Sequence, residues 1–186
     1  MRVGDAKVFS NIDLLNAYLQ LPLDDESKQY TTINTCEGLY QYNFLPFGYC
    51  SSPGIFQSFI SQVLADRDNI IVYQDDILIM TETTEQHNLI LDKVLNALMK
   101  AGVKINAKKT SFLADSINYL GHVFDQLGVR PIPHKVRAIT EAPSPKNISQ
   151  VQSFVGLCNY YHRFIPNFSK IFAPLYNLMK KNVKFR

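Results

Sequence analysis

Asp75 and Asp76 stand side by side in Tyr73-Gln74-Asp75-Asp76, between two apolar β-forming runs, Ile70-Ile71-Val72 and Ile77-Leu78-Ile79. Two adjacent carboxylates at the tip of an apolar hairpin repel each other unless a cation lies between them. Hard carboxylate oxygens suit a divalent metal ion, and a metal so held can act on phosphate. Asp is also a favoured turn residue, so the tetrapeptide alone reads more readily as a polar turn than as a metal site. A third acid shifts the balance. Asp13 lies near the end of the β-rich run Val8-Phe9-Ser10-Asn11-Ile12-Asp13-Leu14-Leu15. From a neighbouring strand its carboxylate would complete a two-metal site.

The elements that must position these acids can be read from the pattern around them. Residues 7–14 read as a strand and 16–20 as one helical turn ended by Pro22, with Asp24-Asp25-Glu26 a solvated turn. Residues 30–35 and 39–45 have strand composition, with Glu37-Gly38 as a hairpin turn. Ser52-Pro53 reads as an N-cap followed by proline. The helix after it carries Ile55, Phe56, Phe59, Ile60, Val63 and Leu64 on one face. Strands at 70–73 and 77–80 flank the acidic turn. Thr83 and Gln86 have capping-box spacing. They open a helix striped by Ile90, Leu91, Val94, Leu95, Leu98 and Met99 and stopped at Gly102. Residues 117–124 read as a strand or hairpin in which Gly121 allows close backbone approach. From residue 131 prolines punctuate a helical tail, with helices at 134–141, 149–160 (Ser149 and Gln152 in capping-box spacing) and 169–180. The order suggests an α+β fold, an antiparallel sheet backed by helices.

Composition narrows the function classes. The 186 residues can bury a sizeable core. No apolar run reaches the length of a membrane span and no signal peptide opens the chain. Cys36, Cys50 and Cys158 lack metal-type spacing and read as thiols in a reducing compartment. The net charge of +3 hides an asymmetry. Residues 1–99 hold 5 basic and 13 acidic side chains, a balance of −8, and residues 100–186 hold 14 and 3, a balance of +11. An acidic half with a metal site joined to a basic half suits an enzyme that grips a polyanion while metals act on it.

Taken in order, the motifs resemble the reverse transcriptase of gypsy-type long-terminal-repeat retrotransposons over nearly the whole chain. Phe9-Ser10-Asn11-Ile12-Asp13-Leu14 with Ala17-Tyr18 resembles the first catalytic motif. Leu45-Pro46-Phe47-Gly48 with Ser52-Pro53 and Phe56-Gln57 resembles the nucleotide-pocket motif, and Tyr73-Gln74-Asp75-Asp76 the catalytic hairpin. Tyr119-Leu120-Gly121-His122 is similar to the primer grip. The stretches 153–161 and 163–169 resemble the start of the thumb. The resemblance implies a right-hand polymerase palm at 1–20 and 52–130, partial fingers at 21–51, and the helical start of a thumb at 131–186.

The implied reaction is templated addition of dNTPs to a primer 3′ end. Asp13, Asp75 and Asp76 would arrange two Mg²⁺ ions, with Mn²⁺ as a substitute, and Asp76 would be the least direct ligand. Lys109 would protonate pyrophosphate. Tyr18 would exclude a ribose 2′-hydroxyl, in a nucleotide site shared with Phe47, Gly48, Gln57 and Tyr73. Leu120, Gly121, His122, Arg163 and Lys170 would contact primer and template, with Lys180 and Lys181 as further basic candidates. Implied partners are RNA and DNA primer-template, dNTPs and the remainder of a Pol polyprotein (fingers, connection, ribonuclease H, integrase), and no membrane. The implied location is intracellular, in a cytoplasmic virus-like particle.

The chain departs from the family pattern by opening at the first catalytic motif and stopping partway into the thumb. Arg2 and Lys7 lie too close to Asp13 to replace the basic residues of the fingers. The sequence therefore leaves open an inactive or co-opted remnant that only binds nucleic acid or a partner. An RNA-directed RNA polymerase and a metal-dependent nuclease are more distant alternatives. Tyr18 and the Tyr-Gln-Asp-Asp hairpin speak against the RNA polymerase.

Overall fold

The computed structural model describes residues 5–65, 69–180 and 183. Strands β1 (Val8–Asp13), β4 (Ile70–Tyr73), β5 (Asp76–Thr81) and β6 (Ser111–Ala114) form an antiparallel sheet in the order β4-β5-β1-β6. Helices α2 (Ser52–Val63) and α3 (Thr84–Lys100) supply its apolar cover. Strand pairing fixes which side chains share a face, because directly opposed residues point the same way. Ile12 opposes Ile77 and Ser10 opposes Ile79, and Val72 opposes Ile77 on the other side. These residues face the core, where Ile12, Ile77 and Ile79 pack with Phe56, Ile60, Val94 and Leu98. The alternate residues Asn11, Asp13, Asp76 and Leu78 leave from the opposite face. Residues 77–81 of β5 are nevertheless all buried, which explains why β5 reads as a continuous apolar run instead of an alternating one.

A second set of short elements precedes α2. A 3₁₀ turn covers Ala17–Gln20, α1 spans Asp25–Lys28, and β2 (Ile33–Thr35) pairs with β3 (Gly38–Tyr40). Residues 116–131 form β7 (Ser116–Tyr119), β8 (His122–Asp125) and β9 (Gly128–Pro131) in a three-stranded sheet. Helices α4 (Pro133–Thr140), α5 (Ile148–Tyr160) and α6 (Phe168–Leu178) follow. Val151, Val155, Cys158 and Phe172 make a small core between α5 and α6. The chain divides into two compact units, residues 1–119 with 124–128, and residues 120–123 with 129–186.

Several expectations need correction. The hairpin tip holds one acid, not two: Tyr73 pairs with Asp76, leaving Gln74 and Asp75 as the two-residue turn. Gln74 at φ 51 takes the left-handed conformation that tight hairpin turns favour. Ser51, not Ser52, precedes the first helical residue of α2, because the Ser52 hydroxyl is committed to the Pro46 carbonyl at 2.7 Å. Asn147 caps α5 through the Gln150 amide, displacing the Ser149–Gln152 box by two residues. Asp24 caps α1 through the Ser27 amide, so the acidic run is a helix start. Ile55 and Met99, placed in apolar stripes by their spacing, are exposed. The strands read at 30–35 and 39–45 shorten to 33–35 and 38–40, the first because Gln29–Thr31 winds into a 3₁₀ turn. Strands β6 and β9 had no clear sequence signal. Thr83 does cap α3 through Gln86, and Gly102 ends that region at φ +71.

A polar cluster of Ser10, Thr81 and His87 is buried in the first unit. His87 on α3 is fully buried and ties the helix to two strands. The Thr81 hydroxyl donates to the Thr83 carbonyl, so it accepts from His87 Nδ1 at 2.8 Å. His87 Nε2 then accepts from the Ser10 hydroxyl at 2.7 Å, and Ser10 Oγ accepts from the Leu113 amide at 3.0 Å. That amide falls where the β1–β6 register shifts, so Ser10 satisfies a donor the ladder cannot. Every member is paired only while His87 is neutral. Burial pushes its pKa below the ordinary 6.5. As pH falls below about 6.5 the unfolded chain takes up this proton before the folded one does, and stability falls with it. Replacing His87 by Leu leaves the buried Ser10 hydroxyl without an acceptor and takes a donor from the Thr81 hydroxyl, and should cost about 1–3 kcal/mol. Denaturant titrations at pH 5 and pH 8 check both points: the variant should be weaker at each pH and less pH-dependent than the unsubstituted chain.

Candidate active site

Asp13 is the last residue of β1 and lies directly opposite Asp76, the first residue of β5. The next residue, Leu14, donates its amide to the Asp75 carbonyl at 2.8 Å, which fastens the hairpin turn to the end of β1. The segment after α3 runs alongside. Leu14 bridges Ile105, the Asn106 amide donates to the Asp13 carbonyl at 2.8 Å, and the Asp13 amide donates to the Thr110 hydroxyl at 3.3 Å. This pairing carries Lys109 to the site, with Nζ 3.8 Å from Asp13 Oδ2.

Asp13, Asp75, Lys109, Tyr18, Phe47 and Gln74 line one cavity of about 320 Å³. Tyr18 enters from the 3₁₀ turn. Its ring meets Phe47 at 4.8 Å and the buried Phe56 at 5.6 Å, and its hydroxyl donates to Gln74 Oε1 at 2.9 Å. Burial raises the Tyr18 pKa, aided by the charge of Asp75 and then by Tyr73. Gln57 on α2 does not line the cavity. Its Oε1 accepts from the Gln74 amide at 2.7 Å and its Nε2 donates to the Val72 carbonyl at 3.3 Å. It is a strut between α2 and the hairpin. Gly48 follows Phe47 at φ +82 and also stays out of the lining. Tyr73 is half exposed on the sheet face that carries Asp76.

Asp76 sits beside the cavity rather than in its wall. Desolvation raises its pKa above the ordinary carboxylate value, and the charges of Asp75 and, more weakly, Asp13 push the same way. A hydrogen bond from the Asn11 side chain and the charge of Lys109 oppose the rise. Tyr119 braces the hairpin from the same unit, with its hydroxyl 3.2 Å from the Asp76 carbonyl. Burial, then Asp76 and Asp75, drives the Tyr119 pKa far up. Asn11, Gln74 and Tyr119 lie inside the motifs without a role assigned to them there, and Asn106 and Thr110 lie outside the motifs. The polar spacing of Asn106 and Thr110, four residues apart beside Lys109, is the signal that points to that pair.

Among the described residues, no three His, Cys, Asp or Glu side chains converge closely enough to enclose an ion. The donor chemistry still fits hard divalent cations: three carboxylates with no nitrogen or sulfur ligand among them. Asn11 Oδ1, on the face of Asp13 and Asp76, is buried without a partner.

The residues expected to contact primer and template belong to the second unit, and each is described within it. Leu120 and Gly121 form the turn between β7 and β8, with φ 44 and +74. His122 opens β8, and Arg163 is exposed in a 3₁₀ turn at His162–Phe164. Lys170 and Lys180 are exposed, while Lys181, like Arg2, lies outside the described residues.

Comparison with known proteins shows the family. Residues 1–124 match the family described as reverse transcriptase (RNA-dependent DNA polymerase). The chain is 35% identical over 180 residues to the retrovirus-related Pol polyprotein from transposon gypsy of Drosophila melanogaster, covering 96% of this chain and 17% of that one. It is also 35% identical over 177 residues to a putative enzymatic polyprotein of Cassava vein mosaic virus, covering 94% and 27%. A foamy viral protease-reverse transcriptase solved with double-stranded DNA superposes with a TM-score of 0.87 at 33% identity, over 94% of this chain and 31% of that one. The same kind of protein solved with an RNA/DNA hybrid gives 0.83 at 31% identity, over 99% and 26%. The chain therefore spans less than a third of each of these relatives. With residues 1–124, about two thirds of its length, matching that family, the chain belongs to the reverse transcriptase family.

Proposed function

We propose that this chain is the palm region, with partial fingers and the start of the thumb, of a retrotransposon RNA-directed DNA polymerase that adds dNTPs to a primer 3′-hydroxyl. The observation that carries the reading is the common cavity of Asp13, Asp75, Lys109, Tyr18 and Phe47. Carboxylates alone repel a triphosphate, so a site built from Asp13 and Asp75 works on phosphate only with cations between. Asp13 and Asp75 would hold two Mg²⁺ ions, and Asp76 would add negative potential beside them. Bound there, the ions would lower the pKa of the attacking hydroxyl and neutralise charge on the triphosphate.

The remaining roles fall to the chain's own residues. Tyr18, held between Phe47, Phe56 and Gln74, presents a fixed ring to the nucleotide sugar and excludes a 2′-hydroxyl. Gln57 keeps the hairpin turn at a set distance from α2. Lys109 is mostly exposed and near Asp13, so it can swing to the leaving pyrophosphate and donate a proton. Leu120, Gly121 and His122 contact the primer, while Arg163, Lys170 and Lys180 meet backbone phosphates without reading sequence. RNA and DNA strands, dNTPs and the rest of a Pol polyprotein are the proposed partners. The intracellular location in a virus-like particle belongs to the same proposal. No helix among the described residues is long and apolar enough to cross a membrane.

Primer extension on an RNA template with Mg²⁺ and dNTPs tests the function. Extension should fall to background in Asp13→Asn and Asp75→Asn; activity retained in both would refute the site, and duplex binding without extension by the unsubstituted chain would favour the binding-only remnant. Tyr18→Val should raise ribonucleotide use relative to deoxynucleotide use by about tenfold or more, the scale of a lost steric contact. Lys170→Gln should weaken primer-template binding for all sequences alike. It should also reduce the slope of log K against log salt by about 1, as expected for one phosphate contact.

A further inference from the structure

The Leu120-Gly121 turn is clamped more tightly than a hairpin turn requires. Both residues adopt left-handed backbone, at φ 44 and +74. Glycine does so freely, but leucine does so under strain. A strained residue persists only where its surroundings over-determine it. Here the surroundings come from the end of α5. The Tyr160 hydroxyl donates to the Leu120 carbonyl at 2.6 Å and the Tyr161 hydroxyl to the Gly121 carbonyl at 3.1 Å. His122 Nδ1 donates to the same Leu120 carbonyl at 2.9 Å, since a carbonyl can only accept. The His122 ring then stacks on Tyr160, with centroids 5.4 Å apart and planes at 23°. A Cβ added at Gly121 would come within 2.8 Å of the Tyr160 hydroxyl oxygen.

The two tyrosines differ in burial: Tyr161 is buried, and Tyr160 is not. Tyr160 is 54% exposed and Leu120 is 39% exposed. The Tyr160 hydroxyl would lose little by turning to water, so what its bond secures is geometry. The two hydroxyls hold an exposed apolar side chain at the tip of a turn, on a unit whose exposed cations include Arg163 and Lys170.

We propose that Tyr160 and Tyr161 are positioning residues for the primer: their hydroxyls lock the Leu120-Gly121 turn so that its tip presents one fixed edge to the primer strand. The inference rests on the reading above that residues 120–122 contact the primer. Preorganisation of this kind raises affinity without adding a phosphate contact.

The test is binding of a labelled DNA primer annealed to a longer RNA template, followed by anisotropy across a salt series. The unsubstituted chain is compared with Tyr160→Phe, Tyr161→Phe and the double variant, each of which keeps its ring. The double variant should bind roughly tenfold more weakly, about the net worth of one or two hydrogen bonds. Its salt slope should stay that of the unsubstituted chain, and Tyr160→Phe, at an exposed residue, should weaken binding with the thermal midpoint unchanged. Gly121→Ala, which displaces the Tyr160 hydroxyl, should reproduce the loss. Unchanged affinity in the double variant overturns the proposal. A shallower salt slope overturns it in favour of a direct phosphate contact, and a lowered midpoint in Tyr160→Phe that accounts for its loss overturns it in favour of a fold staple. If the unsubstituted chain binds no primer-template, the functional reading fails first and this inference falls with it.

Discussion

Asp13 lies straight across an antiparallel ladder from Asp76, with Asp75 one residue away in the turn. Like charges directly opposed on neighbouring strands destabilise a sheet. Most of what surrounds them can be understood as holding that arrangement together. The pKa of Asp76 is raised first by desolvation, then by Asp75 and more weakly by Asp13. Lys109 and the Asn11 amide oppose part of that rise. Backbone bonds from Leu14, Asn106 and Asp13 itself stitch the ends of three segments into one rigid edge.

Rigidity reaches this edge from both sides of the sheet. On the helix side, the Ser10–His87–Thr81 chain joins α3 to β1 and β5 in the middle of the apolar core. A fully paired polar network fixes one register where apolar packing alone would tolerate a slip. A slip of one residue would turn Asp13 toward the helices and Ile12 toward the acids. On the hairpin side, Gln57 and Tyr119 hold the turn by its backbone. The side chains of Asp13 and Asp75 take no part in these bonds, which suits their proposed role of meeting a ligand.

The sequence made the acids legible because charge is conspicuous between apolar strands, and it made Tyr18 legible through the ordered motifs. Helix α3 was legible because Thr83 and Gln86 cap it at the expected spacing. Other features were hidden for physical reasons. The acids were read together at the hairpin tip because pairing cannot be seen in a single strand; only the Tyr73–Asp76 pair places Asp76 inside β5. Strand β6 was missed because its residues are largely exposed and its register to β1 is broken, leaving no alternation to read. Ser149 was taken as a cap by spacing alone, whereas Asn147 has the extended backbone that capping needs. His87 gave no signal at all, since a buried polar residue on an apolar stripe looks like an interruption until its partners are known.

Thermal unfolding of the unsubstituted chain and of an Asp13→Asn, Asp75→Asn double variant, each with EDTA and then with millimolar Mg²⁺, tests without requiring turnover whether divalent cations complete the acidic site. A ligand that binds only the folded state raises its melting point. The unsubstituted chain should melt higher with Mg²⁺ than without, and the double variant should not respond. Melting curves of the unsubstituted chain that are indifferent to Mg²⁺, or a response that survives in the double variant, would contradict a cation-completed site.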